Sequence, residues 1–209
     1  MSDSSRDRVL MEALGEVPNK GFSDAILTAA AERAGVGKRE MLDAFPRGPE
    51  SLVEAFSHWA DAQMAAAMAT GTAERVRDRL RNAVKARIEV LVPYKEATRR
   101  AVAFLALPQH APLGARLTMR SVDQMWRAAG DRASDFSYYT KRGLLAGVYG
   151  ATLMYWLSDS SDGNAATWDF LDHRIENVMQ IEKFRGAAKD AMSKLPNPLE
   201  ILANLRNRR

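Results

Sequence analysis

The chain of 209 residues is 46% hydrophobic and 27% charged, enough for one sizeable domain or a small domain joined to a larger one, and too apolar for a disordered chain. It has no cysteine, which excludes disulfides, thiolate metal sites and Cys nucleophiles, and its three histidines (His58, His110, His173) leave little for zinc. The net charge of +4 divides into −4 over residues 1–65 and +8 over the rest, with +5 in the last 27 residues from Lys183, where an anionic partner and a plainly solvated tail are both open readings.

Helix signals run almost end to end. Apolar residues at 3–4 spacing predict a helix over Arg6–Val17, stopped at Pro18-Asn19-Lys20-Gly21. Ser23 or Asp24 caps the next, which ends at Gly35, and a short helix Lys38–Phe45 closes at Pro46. Pro49 suits the first turn of a longer helix that reaches about Ala69. A second set follows Gly71-Thr72. It comprises a helix with the apolar face Val76, Leu80, Val84, Ile88 and Leu91, then Glu96–Leu107, Pro112–Ala129, Ser137–Leu157 and Ala165–Ala191. Pro196 and Pro198 isolate a last short helix, Leu199–Arg208. No alternation of period two competes, so the fold class is all-α. Three units are expected: 1–69, 70–194 and a tail at 195–209. The N-terminus MSDSSRD has no apolar signal core, so neither a signal nor a transit peptide is expected. Gly143–Leu157, an uncharged stretch, falls short of the ~20 residues of a bilayer span. A soluble chain in a reducing, cytoplasmic compartment is the expectation.

Residues 22–46 have the form of a helix-turn-helix, with an alanine-rich first helix and a tight turn at Ala34-Gly35-Val36. The Ala-Gly-Val…Phe-Pro pattern resembles TetR-type regulators, which implies a larger helical ligand-binding and dimerising part behind it. The chemistry of DNA binding is weak here. Where the TetR pattern presents two aromatic hydroxyls and a histidine, this chain has Leu42, Asp43 and Ala44. Glu40 and Asp43 offset two of the cations Lys38, Arg39 and Arg47, and an acidic module lacks the counterion release behind non-specific affinity. A retained scaffold without DNA binding is the expectation, and a ligand-responsive transcriptional repressor is the rival.

From about Arg87 the runs LVPY (91–94), RAVAFLALP (100–108), VDQMWRAAGD (122–131), SDFSYYTKR (134–142), WLSDSS (156–161) and TWDFLDHR (167–174) carry a narrower likeness. The chain resembles the TetR-like lipid-binding accessory proteins of ubiquinone biosynthesis. The resemblance implies a non-catalytic protein with no cofactor. Such a protein binds an isoprenoid, quinone or phospholipid molecule, associates with the inner membrane at its periphery through a C-terminal helix, and presents the lipid to the demethoxyubiquinone hydroxylase. It implies a partner patch at Met125, Trp126, Asp135, Tyr138, Tyr139 and Arg142, in which the first of the two tyrosines departs from the family's usual tryptophan.

Read physically, that patch has the Trp, Tyr and Arg of interface hot spots, but it also fits a helix corner pinned by core aromatics and a capping Asp. The cavity wall is expected from Leu80, Val84, Ile88, Leu91, Phe104, Leu105, Leu144, Leu145, Val148, Leu153 and Trp156, although such a stripe also makes a plain core. In the tail, Leu199, Ile201, Leu202 and Leu205 share about half a helical wheel, with Arg206, Arg208 and Arg209 at the end. That helix suits a membrane surface or packing on the same chain or a second copy. A homodimer through the last long helices is expected. The residues three before each histidine are Ala55, Leu107 and Phe170, so no Glu-x-x-His pair for a di-iron centre exists, and no Gly-x-Ser-x-Gly elbow is present. His110 follows Pro108-Gln109 and is expected to be exposed, and no catalysis is expected.

Overall fold

The computed structural model describes residues 4–69, 75–130 and 137–177, with the backbone alone at 137–139. Its elements are all helical: α1 (Ser5–Lys20), α2 (Asp24–Arg33), α3 (Lys38–Ala44), α4 (Pro49–Met68), α5 (Val76–Leu91), α6 (Lys95–Leu105), α7 (Ala111–Ala128), α8 (Ser137–Ser158) and α9 (165–177). Short 3₁₀ turns at Val92–Tyr94, Pro108–His110 and Asp162–Asn164 join them.

Local chemistry sets the ends. The side chains of Ser4 and Ser23 accept from the N–H groups of Asp7 and Ile26, capping α1 and α2. One expectation is corrected: α1 passes through Pro18 to Lys20. A proline in the last turn forfeits a single N–H bond, so the helix ends instead at Gly21, whose φ of 71° a side chain would resist. The carbonyl of Pro18 accepts from Arg100 Nε on α6 at 3.1 Å, tying the first helix to the second half of the chain.

α1 packs on α2, α3, α4 and α6, while α4 packs on α5 and α7, and α7 on α8. The buried apolar side chains form one continuous core, from Val9 and Leu10 through Phe56, Met64 and Ile88 to Trp156 and Leu171. α4 therefore serves the N-terminal three-helix unit and the following bundle at once. Each fully buried aromatic or aliphatic side chain in such a core is worth about 1.5–3 kcal/mol.

The α8–α9 junction is fixed by charge. Arg99 and Lys95 on α6 donate to the carbonyls of Leu157 (2.7 Å) and Asp159 (2.6 Å), placing cations at the C-terminal end of α8 where the helix dipole favours them. The Asp159 carboxylate accepts from the N–H groups of Ser161 (2.8 Å) and Thr167 (2.9 Å) and from the Thr167 hydroxyl. These bonds, that of the Thr167 hydroxyl foremost, hold it well below the usual carboxylate range. Arg81 on α5 then grips Asp172 on α9 with two hydrogen bonds, its Nη2 at 2.8 Å from Oδ2.

Candidate functional site

A cavity of about 320 Å³ lies among α4, α5, α6, α7 and α8. Its walls are mostly apolar: Val53, Phe56, Leu91, Val102, Leu105, Leu117, Leu153 and Met154. Polar groups gather on one side. Arg87 on α5 is buried among apolar neighbours, donating from Nε to Asp61 Oδ1 on α4 at 2.9 Å, from Nη1 to the Tyr149 hydroxyl on α8, and from Nη2 to Ser57 Oγ at 3.2 Å. The pairing with Tyr149 and Asp61 keeps the guanidinium charged against the cost of its burial, and burial pushes the Tyr149 phenol above its ordinary value. Thr98, Thr118 and Ser121 complete the polar lining.

Of the expected wall residues, Leu91, Leu105 and Leu153 line this cavity. Val84, Ile88, Leu145, Val148 and Trp156 are buried in the core and do not line it, and Leu80, Phe104 and Leu144 are half-buried beside it. Arg87, Asp61 and Tyr149 were not picked out as site residues. A signal existed for the first two: Arg87 interrupts the apolar face that Val84, Ile88 and Leu91 define, and Asp61 follows the buried Phe56 and Ala60 on α4.

The expected partner patch divides. Met125 is fully buried in this chain, Trp126 is 7% exposed and Arg142 5% exposed. Met125 and Trp126 are on α7, which packs against α8, and Arg142 on α8 donates from Nε to Asp123 Oδ1 on α7 at 2.9 Å. Asp135 lies outside the described residues, as do the side chains of Tyr138 and Tyr139 and the whole tail with Leu199, Ile201, Leu202, Leu205, Arg206, Arg208 and Arg209.

His110 departs from its expected exposure: it stacks on Phe104 at 4.1 Å between ring centroids and bonds Glu50 Oε1 at 3.1 Å. The histidines sit apart, and among the described residues no cluster of three or more His, Asp or Glu could hold a metal ion. No described helix is long and apolar enough to cross a membrane.

These features define the class: an all-α, TetR-like fold with an internal, largely apolar cavity. Its fold is that of a TetR transcriptional regulator from Nitrosomonas europaea (TM-score 0.66, 21% identity, 83% of this chain and 97% of that one). A putative TetR-family regulator from Rhodococcus matches less closely, with a TM-score of 0.51 at 20% identity over 82% of this chain and 98% of that one.

The family is narrower. Residues 111–182 match the COQ9 family model. The chain is 34% identical over 186 residues to the ubiquinone biosynthesis protein COQ9, mitochondrial, of Drosophila melanogaster (86% of this chain, 57% of that protein). It is 32% identical over 182 residues to that of Rattus norvegicus (83% and 58%). The likeness read from residues 87–175 is thus shown: this chain's relatives are the COQ9 proteins, of whose length it spans less than two thirds. Those relatives are named mitochondrial, which gives the expected cytoplasmic placement no support.

Proposed function

We propose that the chain is a non-catalytic lipid-binding accessory protein of ubiquinone biosynthesis. It holds part of an isoprenoid quinone precursor, or of a phospholipid, in the α4–α8 cavity and presents it at a membrane surface to the demethoxyubiquinone hydroxylase. The observation that carries this reading is the cavity: apolar walls over most of its surface, inside a chain related to proteins named for ubiquinone biosynthesis. Each methylene moved from water to such walls contributes about 0.8 kcal/mol, so a hydrocarbon chain is held without specific polar chemistry.

At about 320 Å³ the cavity sits at the low end of the roughly 300–1,000 Å³ of small-molecule sites, so a long chain is sheltered only in part. Membrane attachment belongs to the amphipathic tail from Leu195, and dimerisation to α8 and α9, where Tyr155 is exposed and stacks on Phe170 at 4.5 Å. With Met125, Trp126 and Arg142 buried in this chain, contact with the hydroxylase rests on Asp135, Tyr138 and Tyr139.

The rival reading, a ligand-responsive repressor, has the fold in its favour. Against it, α3 exposes Glu40, Leu42 and Asp43 together with Lys38 and Arg39, and Arg47 is engaged by Glu50 and Glu54. Transfer of a fluorescent polyprenyl lipid between donor and acceptor liposomes tests the proposal. The full chain should accelerate transfer and a chain truncated after Lys194 should not; no acceleration by the full chain contradicts it.

A further inference from the structure

The cavity is graded from one end to the other. Met154 is 57% exposed and Ala106 is exposed, which places the mouth between the end of α6 and α8. Gly114 lies against Leu105 at this mouth, while Ser121, seven residues further along α7 and so about 10 Å deeper, is buried. Ala60, Arg87 and Tyr149 are buried with it and form the floor. The mouth is thus apolar and open, and the floor is polar and closed.

The hydrogen bonds at the floor have a direction. A guanidinium can only donate, so in its bond with Arg87 the Tyr149 oxygen is the acceptor. That leaves the phenolic proton to be given elsewhere, and it finds no acceptor among the described residues. Among the described residues Arg87 is the one charged residue lining the cavity, and its charge is offset by the buried Asp61, whose Oδ2 has no hydrogen-bond partner among the described residues and lies 3.9 Å from Nε of the solvent-exposed Arg120. An anionic head seated here would bring a second negative charge beside a buried carboxylate, which is costly in a site so short of water. A neutral oxygen acceptor matches the spare proton without that cost.

We propose that the Tyr149 hydroxyl, positioned by Arg87, is the hydrogen-bond donor that seats a neutral, oxygen-bearing head group at the cavity floor. The ligand then lies head inward, with its hydrocarbon chain leaving past Met154. The inference rests on the lipid-binding reading and adds to it an orientation and a preference among lipids: a carbonyl, ether or hydroxyl oxygen at the head is accepted, a phosphate or carboxylate is not.

Three probes test it by displacement of a fluorescent dye from the full chain: geranylacetone, the hydrocarbon in which two hydrogens replace its carbonyl oxygen, and geranyl phosphate. The ketone should bind about three- to tenfold tighter than the hydrocarbon, the range of one neutral hydrogen bond, and the phosphate more weakly than the ketone. Tyr149→Phe should level ketone with hydrocarbon, with an unchanged helical circular dichroism spectrum and cooperative thermal unfolding showing that the variant is folded. Equal affinity for ketone and hydrocarbon in the parent chain, or tighter binding of the phosphate, overturns the head-inward arrangement and leaves lipid binding standing. Failure of every probe to bind overturns both. Should the variant not fold, the carbonyl stretch of ¹³C-labelled geranylacetone bound to the parent chain decides: a shift to lower frequency than in hexane is expected, and an unshifted band contradicts the proposal.

Discussion

Arg87 on α5 and Asp61 on α4 form an ion pair inside the bundle, Nε to Oδ1 2.9 Å, with 5% and 4% of their side chains exposed. The pair stitches the helix that closes the N-terminal unit to the first helix of the ligand-holding bundle. Breaking such a pair from one side strands a charge where water cannot reach it. Arg87→Met or Asp61→Leu alone should therefore lower unfolding free energy by about 3–5 kcal/mol in urea titration. The double variant should recover most of that loss, because no stranded charge remains. Additive losses would show that the two side chains do not act as a pair.

Gly150 separates stability from occupancy. It lines the cavity on α8, a Cβ added there would meet nothing within 4 Å, and its φ is not in the left-handed region. Gly150→Ala should raise stability by about 0.5–1 kcal/mol, the usual gain on replacing a helix-interior glycine. Gly150→Phe should fill the cavity and displace lipid while the protein stays folded by circular dichroism. Undiminished lipid content in Gly150→Phe would mean the ligand sits elsewhere.

Trp126 distinguishes a core residue from an interface residue. At 7% exposure, beside the fully buried Met125, it belongs to the interior of the α7–α8 corner. Trp126→Ala should cost about 3–5 kcal/mol in the isolated chain. A loss within about 0.5 kcal/mol, as for a surface substitution, would return it to the partner patch.

Acid should act first on the α8–α9 junction. The hydrogen bonds from Thr167 and Ser161 hold the Asp159 carboxyl below its unfolded value, and the Arg81 guanidinium does the same for Asp172. A depressed carboxyl contributes stability that is complete above its unfolded pKa, about 3.9, and is lost as pH falls from there through the folded value. Amide protection of α9 should thus be flat above pH 5 and fall below pH 4. Asp159→Asn should reduce protection at neutral pH and flatten the fall.

Much of the architecture was legible because helix periodicity and punctuation are local. The starts of α2, α3, α4 and α8 followed from Ser23, Gly37-Lys38, Pro49 and the segment before Ser137. Pro18 misled because proline breaks a helix interior, not its last turn. The cavity was less legible. Val84, Ile88 and Trp156 are as apolar as Leu91 and Leu105, and only packing decides which of them face the empty space. Arg87 was visible as a charge on an apolar face, but its partners Asp61 and Tyr149 lie 26 and 62 residues away, beyond any local pattern. The half-buried position of His110 escapes a local reading for the same reason: Glu50, which holds it, is 60 residues distant.

Native mass spectrometry of the full chain, expressed in a quinone-producing host and purified without detergent, bears most directly on the claim that the α4–α8 cavity shelters a lipid. The expected spectrum shows the chain carrying lipid-sized adducts that organic extraction removes and that Gly150→Phe lacks. Apo protein alone in the parent spectrum, or identical adducts in parent and Gly150→Phe, would contradict it.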